Sequence, residues 1–127
     1  MVNFIIYEDD KNTRDSYISI ILKIMGNRPE QYSIIEVDRY TPKFDSILKK
    51  VGRKIFILDV EVPGKSGMDL AREIRDKGDW TSQIIIVTNH DSLQQKAFTS
   101  KLLMLDFISK FNNTQEELRK SLITSYM

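Results

Sequence analysis

The chain has 127 residues, 41% of them hydrophobic and 29% charged, with a formal net charge of +1 and no cysteine. That length fits one domain with a real core, and the near-neutral charge provides no global field to gather nucleic acid or a membrane surface. The lack of cysteine excludes disulfides, thiol catalysis and cysteine-ligated zinc. The apolar run at the N-terminus, Phe4 to Tyr7, is too short for a signal peptide or a membrane span, and acids follow it at once. A cytoplasmic protein is expected.

Val2 to Tyr7 reads as a first strand, closed by Glu8, Asp9 and Asp10. A first helix follows. Its stripe is Tyr17, Ile20, Ile21, Ile24 and Met25, with Asn12 or Thr13 as cap and Gly26 as stop. Tyr32 to Val37 is a second strand. Thr41-Pro42 then suits an N-cap and first helical position, with Phe44, Ile47, Leu48 and Val51 as the stripe of a second helix ending at Gly52. The third strand, Ile55 to Asp59, is apolar until its last residue. A loop with Pro63, Gly64 and Gly67 leads to a third helix over about Met68 to Lys77, with Leu70, Ala71 and Ile74 facing inward. Gln83 to Thr88 is a fourth strand. Asp91 or Ser92 can cap a fourth helix reaching about Leu102, which has the weakest stripe of the five: Leu93, Ala97 and Phe98. Leu105 to Ser109 is a fifth strand, closed by Lys110. Thr114-Gln115-Glu116-Glu117 has the form of a capping box for a last helix whose inner face is Leu118, Leu122 and Ile123.

Five alternating strand–helix units predict an α/β fold. It is a three-layer, doubly wound (βα)5 arrangement with a parallel sheet covered on both faces. The flavodoxin-like strand order 2-1-3-4-5 suits this length and puts the switch point between strands 1 and 3. Ligands in such sheets sit beyond the carboxyl ends of the strands. Those ends carry Glu8 and Asp9, Asp59, Thr88 and Lys110.

A charge at the end of a buried strand is costly unless something binds it. Asp59 is therefore the first candidate for chemistry. Three converging carboxylates repel unless a cation neutralises them. Hard oxygen donors without histidine or cysteine favour Mg2+. A carboxylate can also act as a nucleophile and form an aspartyl phosphate, a transfer that needs chiefly positioning and charge neutralisation. Lys110 and the Thr88 hydroxyl can contribute both. Taken singly, each residue has a plainer explanation: first-turn or loop acids for Glu8 and Asp9, a turn cap for Asp59, a turn residue for Thr88, a solvated charge for Lys110. Their joint placement at successive strand ends is what points to a site.

The set in order resembles the receiver domain of two-component response regulators. It comprises the pair Glu8-Asp9, Asp59 with Pro63 four residues on, Gly67, Thr88, and Phe107 three before Lys110. The resemblance covers residues 1–127 as a single domain, with no output domain after it. It implies a phosphoacceptor signalling domain rather than an enzyme, with only weak self-phosphorylation and self-dephosphorylation. Asp59 would be the acceptor of a phosphoryl group from a sensor histidine kinase. Asp9 would bind Mg2+ directly, Glu8 through water, and the backbone carbonyl of Glu61 would complete the protein's share. Thr88 would bond the phosphoryl group, Lys110 would pair with it, and Phe107 would turn inward with Thr88. That change would repack the face of the fourth helix, fifth strand and last helix, giving a phosphorylation-dependent homodimer or a controlled output. Tyr7-Glu8-Asp9-Asp10, Val87-Thr88-Asn89-His90 and Leu105 to Lys110 look like the receivers of LytTR-type transcription regulators, which carry a DNA-binding domain after the receiver. The domain itself would touch neither membrane nor nucleic acid.

Some positions depart from the family pattern. Phe111 stands where many receivers have proline, and Asn89 where a small residue is common. Asn89 and His90 would form the rim of the site, and Glu61 and His90 occupy the two positions that tune the lifetime of the phosphoryl group. Trp80 reads as packing. The basic residues Arg39, Lys43, Lys49, Lys50, Arg53 and Lys54 read as the solvated face of the second helix, with a docking patch as the alternative. Other functions are a phosphorylation-independent interaction module and, further off, a haloacid-dehalogenase-type phosphatase. The latter needs aspartate where Glu61 stands and places its acidic pair last. Flavin binding on the same fold needs a phosphate loop where Glu8 and Asp9 stand.

Overall fold

The structure is a computed structural model that describes residues 1–89, 101–111 and 113–126. Five parallel strands form one sheet: β1 (Val2–Tyr7), β2 (Tyr32–Val37), β3 (Arg53–Asp59), β4 (Gln83–Thr88) and β5 (Asp106–Ser109). Their order is β2-β1-β3-β4-β5, the flavodoxin-like order. The helices are α1 (Lys11–Met25), α2 (Phe44–Leu48), α3 (Gly67–Asp76) and, last in the chain, α4 (Thr114–Tyr126). Most of the helix expected between β4 and β5 falls at residues 90–100, outside the described residues; Leu102, its expected end, is buried and not helical.

The apolar runs of the central strands divide by parity. Ile5, Tyr7, Phe56, Leu58, Ile84 and Ile86 face one layer with Phe44, Leu70, Ala71 and Ile74. Phe4, Ile6, Ile55, Ile57, Ile85 and Val87 face the other with Tyr17, Ile21, Met25, Leu118 and Leu122. Side chains alternate along a strand, so a run apolar at every position needs cover on both faces, and each side chain fully buried contributes about 2 kcal/mol. The edge strand β2 is only half-buried.

Several local expectations give way to tertiary geometry. The cap of α1 is Asp10, whose carboxylate accepts from Thr13 N at 2.9 Å, rather than Asn12 or Thr13. The second helix is a single short turn, and Val51 is 93% exposed instead of inward. Residues 41–46 close three-residue turns instead of a cap, with Phe44 N donating to Thr41 O at 2.9 Å. Thr114 is the first residue of α4 rather than its cap, and its hydroxyl donates to Ser109 O at 3.1 Å. Ile123 is half-buried, while Ser121 and Ser125 join Leu118 and Leu122 on the buried face. Trp80 is half-exposed over the buried Arg75 guanidinium, 5.5 Å from it. Two of the basic residues near α2 have partners of their own: Arg53 caps the end of α4 through Ser125 O and Tyr126 O, and Arg39 pairs with Asp38.

One glycine fixes the junction of β3 and α3. A Cβ on Gly67 would lie 2.2 Å from Asp59 O, too close for any side chain. Gly67→Ala should therefore cost about 3 kcal/mol by forcing the two segments apart. Urea denaturation measures it; an unchanged midpoint would show that the junction relaxes freely.

Candidate functional site

Strand register brings the site together. Tyr7 pairs with Leu58, so the next residues, Glu8 and Asp59, emerge side by side at the β1–β3 switch point. Asp59 pairs with Val87 and Thr88 with Ser109, so Thr88 and Lys110 follow one step beyond on the neighbouring strands. Lys110 N donates to Thr88 O at 2.8 Å, which extends the ladder to the lysine itself.

Glu8, Asp59 and Thr88 are buried, and Asp9 is exposed. One carboxylate oxygen from each of Glu8, Asp9 and Asp59 lies within 4.8 Å of the others. The Lys110 ammonium reaches between two of them, 2.5 Å from Glu8 Oε1 and 3.3 Å from Asp59 Oδ2. Lysine thus spends its shorter bond on Glu8, not on Asp59. Burial opposes the charge on Lys110, but the Glu8 bond and the Asp59 charge outweigh it and raise its pKa, so it stays an ammonium. Burial lifts the Glu8 carboxyl to about 7; the Lys110 bond pulls it down and the Asp59 charge pushes it up.

Formally, three carboxylates and one ammonium leave two negative charges in excess. At such separations each like-charged pair repels by about 3 kcal/mol at an effective dielectric of ~20. A divalent cation removes that excess. The donor set is all oxygen, without histidine or cysteine, and part of it is open to solvent through Asp9. This fits Mg2+, which keeps several waters beside one or two carboxylates.

Glu61 is exposed on the loop after Asp59. Asn89 is exposed directly after β4, and Phe111 is 69% exposed after Lys110. His90 lies outside the described residues. Phe107 is half-buried against the core layer that includes Leu102.

Arg14 also belongs to the site, although the sequence does not mark it. Its Nη1 donates to Glu8 O at 3.0 Å and Asp9 O at 3.1 Å, while Nε reaches Glu36 Oε1 at 3.2 Å. The guanidinium thus fixes the backbone of the acidic pair. A lone arginine in a first helical turn reads as solvated, and no local pattern marks it.

Comparison with known proteins bears on the family and the fold. The family model described as "Response regulator receiver domain" matches residues 4–123. Accessory gene regulator protein A of Staphylococcus epidermidis is 31% identical over 116 residues, covering 88% of this chain and 48% of the relative. Aerobic respiration control protein ArcA of Escherichia coli K12 is 27% identical over 114 residues, covering 90% of this chain and 44% of the relative. The chain thus spans about half the length of these curated relatives. Among solved structures, a DNA-binding response regulator of the LuxR family from Staphylococcus aureus superposes with a TM-score of 0.74 at 23% identity, covering 100% of both chains. The response regulator TrrA of Thermotoga maritima, solved in complex with Mg2+ and a beryllium fluoride, does so with a TM-score of 0.66 at 24% identity and 98% of both chains.

The Glu8 shift has a testable sign. Its carboxyl titrates near 4.5 when unfolded and near 7 when folded. Its contribution to stability is therefore complete below 4.5 and lost as pH rises through 7. In EDTA, wild type should lose more stability between pH 5 and pH 8 than Glu8→Gln does. Thermal unfolding at the two pH values checks this, and parallel losses would contradict it.

Proposed function

Because the chain belongs to the response regulator receiver domain family of two-component systems, we propose that Asp59 accepts a phosphoryl group from a histidine kinase and that Lys110 then exchanges partners. The observation that carries this is the Lys110 ammonium bridging Glu8 and Asp59 inside a cluster of three carboxylates. An Asp59 carboxylate oxygen attacks phosphorus. The bond to the donor's imidazole nitrogen breaks, its electron pair leaves with the imidazole, and an acyl phosphate remains on Asp59. Glu8, Asp9, Asp59 and the Glu61 carbonyl are the groups that would hold Mg2+. When bound, Mg2+ supplies neutralising charge for the carboxylates and the phosphoryl oxygens.

The chain's own residues do the rest. Lys110 is already 3.3 Å from Asp59 and needs only a small swing to pair with new phosphoryl oxygens. Thr88, buried beside Asp59, brings its hydroxyl to the same oxygens. Phosphorylation adds roughly −1.5 to −2 of charge, enough to bias an existing two-state equilibrium. Phe107 and the β5–α4 face follow Thr88, and that face serves a homodimer or an output domain. The relatives' greater length and the similarity to Accessory gene regulator protein A support a DNA-binding output of LytTR type. No helix among the described residues is long and apolar enough to cross a membrane. A dehalogenase-type phosphatase loses its support, since the chain is a receiver and a glutamate stands at the acid's position.

Intact mass after incubation with Mg2+ and a small phosphodonor tests this. Wild type should gain one phosphoryl group, and Asp59→Asn none. Lys110→Ala should still accept the group but fail to change state, because the lysine neutralises rather than attacks. No adduct on wild type would favour the phosphorylation-independent module, and an adduct on Asp59→Asn would move the acceptor elsewhere.

A further inference from the structure

The loop after Asp59, residues 60–66, is held at nearly every position by something outside it. Tyr40 N donates to Pro63 O at 3.1 Å. Gly64 sits at φ +97°, where a Cβ would lie 3.1 Å from Tyr40 Cβ. The Lys65 ammonium lies 4.5 Å over the Tyr40 ring and 2.5 Å from Glu73 Oε2. Ser66 caps α3 by accepting from Asp69 N. One contact differs in origin: the Tyr7 hydroxyl donates to Lys65 O at 2.5 Å.

Tyr7 is the last residue of β1, directly before the acidic pair Glu8 and Asp9. Its ring is fully buried, edge-on to Phe44 at 5.9 Å. A phenylalanine would fill that volume equally well. The hydroxyl therefore adds nothing to packing, and its burial without a partner would be destabilising. What it adds is a tie between the strand that carries Glu8 and Asp9 and the loop that carries Glu61.

We propose that Tyr7 is a positioning residue of the site: its hydroxyl clamps the 60–66 loop to the end of β1 and so sets how tightly the acidic cluster holds a divalent cation. This rests on the cation-binding function proposed above. Groups that orient metal ligands from behind typically change affinity by about 10- to 100-fold. A clamp one residue removed from the ligands belongs at the lower end of that range.

The test is an amide NMR titration with MgCl2 on the unphosphorylated chain, alongside thermal unfolding without metal. Tyr7→Phe should raise the Mg2+ concentration at half-saturation about tenfold, with the metal-free melting temperature little changed. Gly64→Ala, which strains the same loop from the Tyr40 side, should raise it in the same direction. A Tyr7→Phe variant that melts lower but binds Mg2+ as wild type does would make the hydroxyl merely structural and overturn the clamp. So would a shift with Gly64→Ala and none with Tyr7→Phe. If wild type itself shows no saturable response to Mg2+, the cation-binding function fails and takes the clamp with it.

Discussion

The site depends on one ammonium shared between two buried carboxylates. Lys110 cannot neutralise Glu8, Asp9 and Asp59 together, and its shorter bond goes to Glu8. Asp59 is therefore both buried and incompletely paired, an arrangement that costs stability unless another cation arrives. The cluster is an expense within an otherwise apolar core, and it sits where parallel-sheet topology gathers strand ends. The same shortage of positive charge makes the lysine responsive. Any anion added at Asp59 competes with Glu8 for it, while the Lys110 backbone remains bonded to Thr88. Charge at Asp59 is thereby linked to the ends of β4 and β5 through one lysine.

Rigidity around the cluster comes from groups that carry no chemistry. Arg14 holds the Glu8 and Asp9 carbonyls from α1. Gly67 allows α3 to start against the Asp59 carbonyl, and Gly64 lets the loop pass under Tyr40. Each is a backbone constraint, and together they leave the side chains of Asp59 and Lys110 as the parts free to respond.

Much of this was legible in the sequence, for definite reasons. Doubly buried strands such as Ile84 to Val87 need apolar residues at every position, so their ends are marked wherever a polar residue follows. Asp59 and Thr88 stand out in that way, whereas Lys110 follows the half-buried edge strand β5 and is marked only by its place at that strand's end; strand order then converts sequence position into proximity. Short-range features were less legible. Asp10 took the cap of α1 because its carboxylate meets Thr13 N, a choice that local propensity leaves open among Asp10, Asn12 and Thr13. Val51 continued a helical spacing, but α2 stops at Leu48 and the residue points outward. The Lys110–Glu8 pairing, the Arg14 clasp and the Tyr7 hydroxyl bond join residues far apart in the chain. No periodicity records such pairs.

The most direct test of the charge-deficient cluster is the melting temperature of the unphosphorylated chain at pH 8, in Mg2+ and in EDTA. A cation that completes the site should raise it, with each tenfold increase in Mg2+ above the dissociation constant adding about 1.4 kcal/mol. Identical melting in Mg2+ and EDTA would contradict the account, because Lys110 would then be sufficient counter-charge by itself.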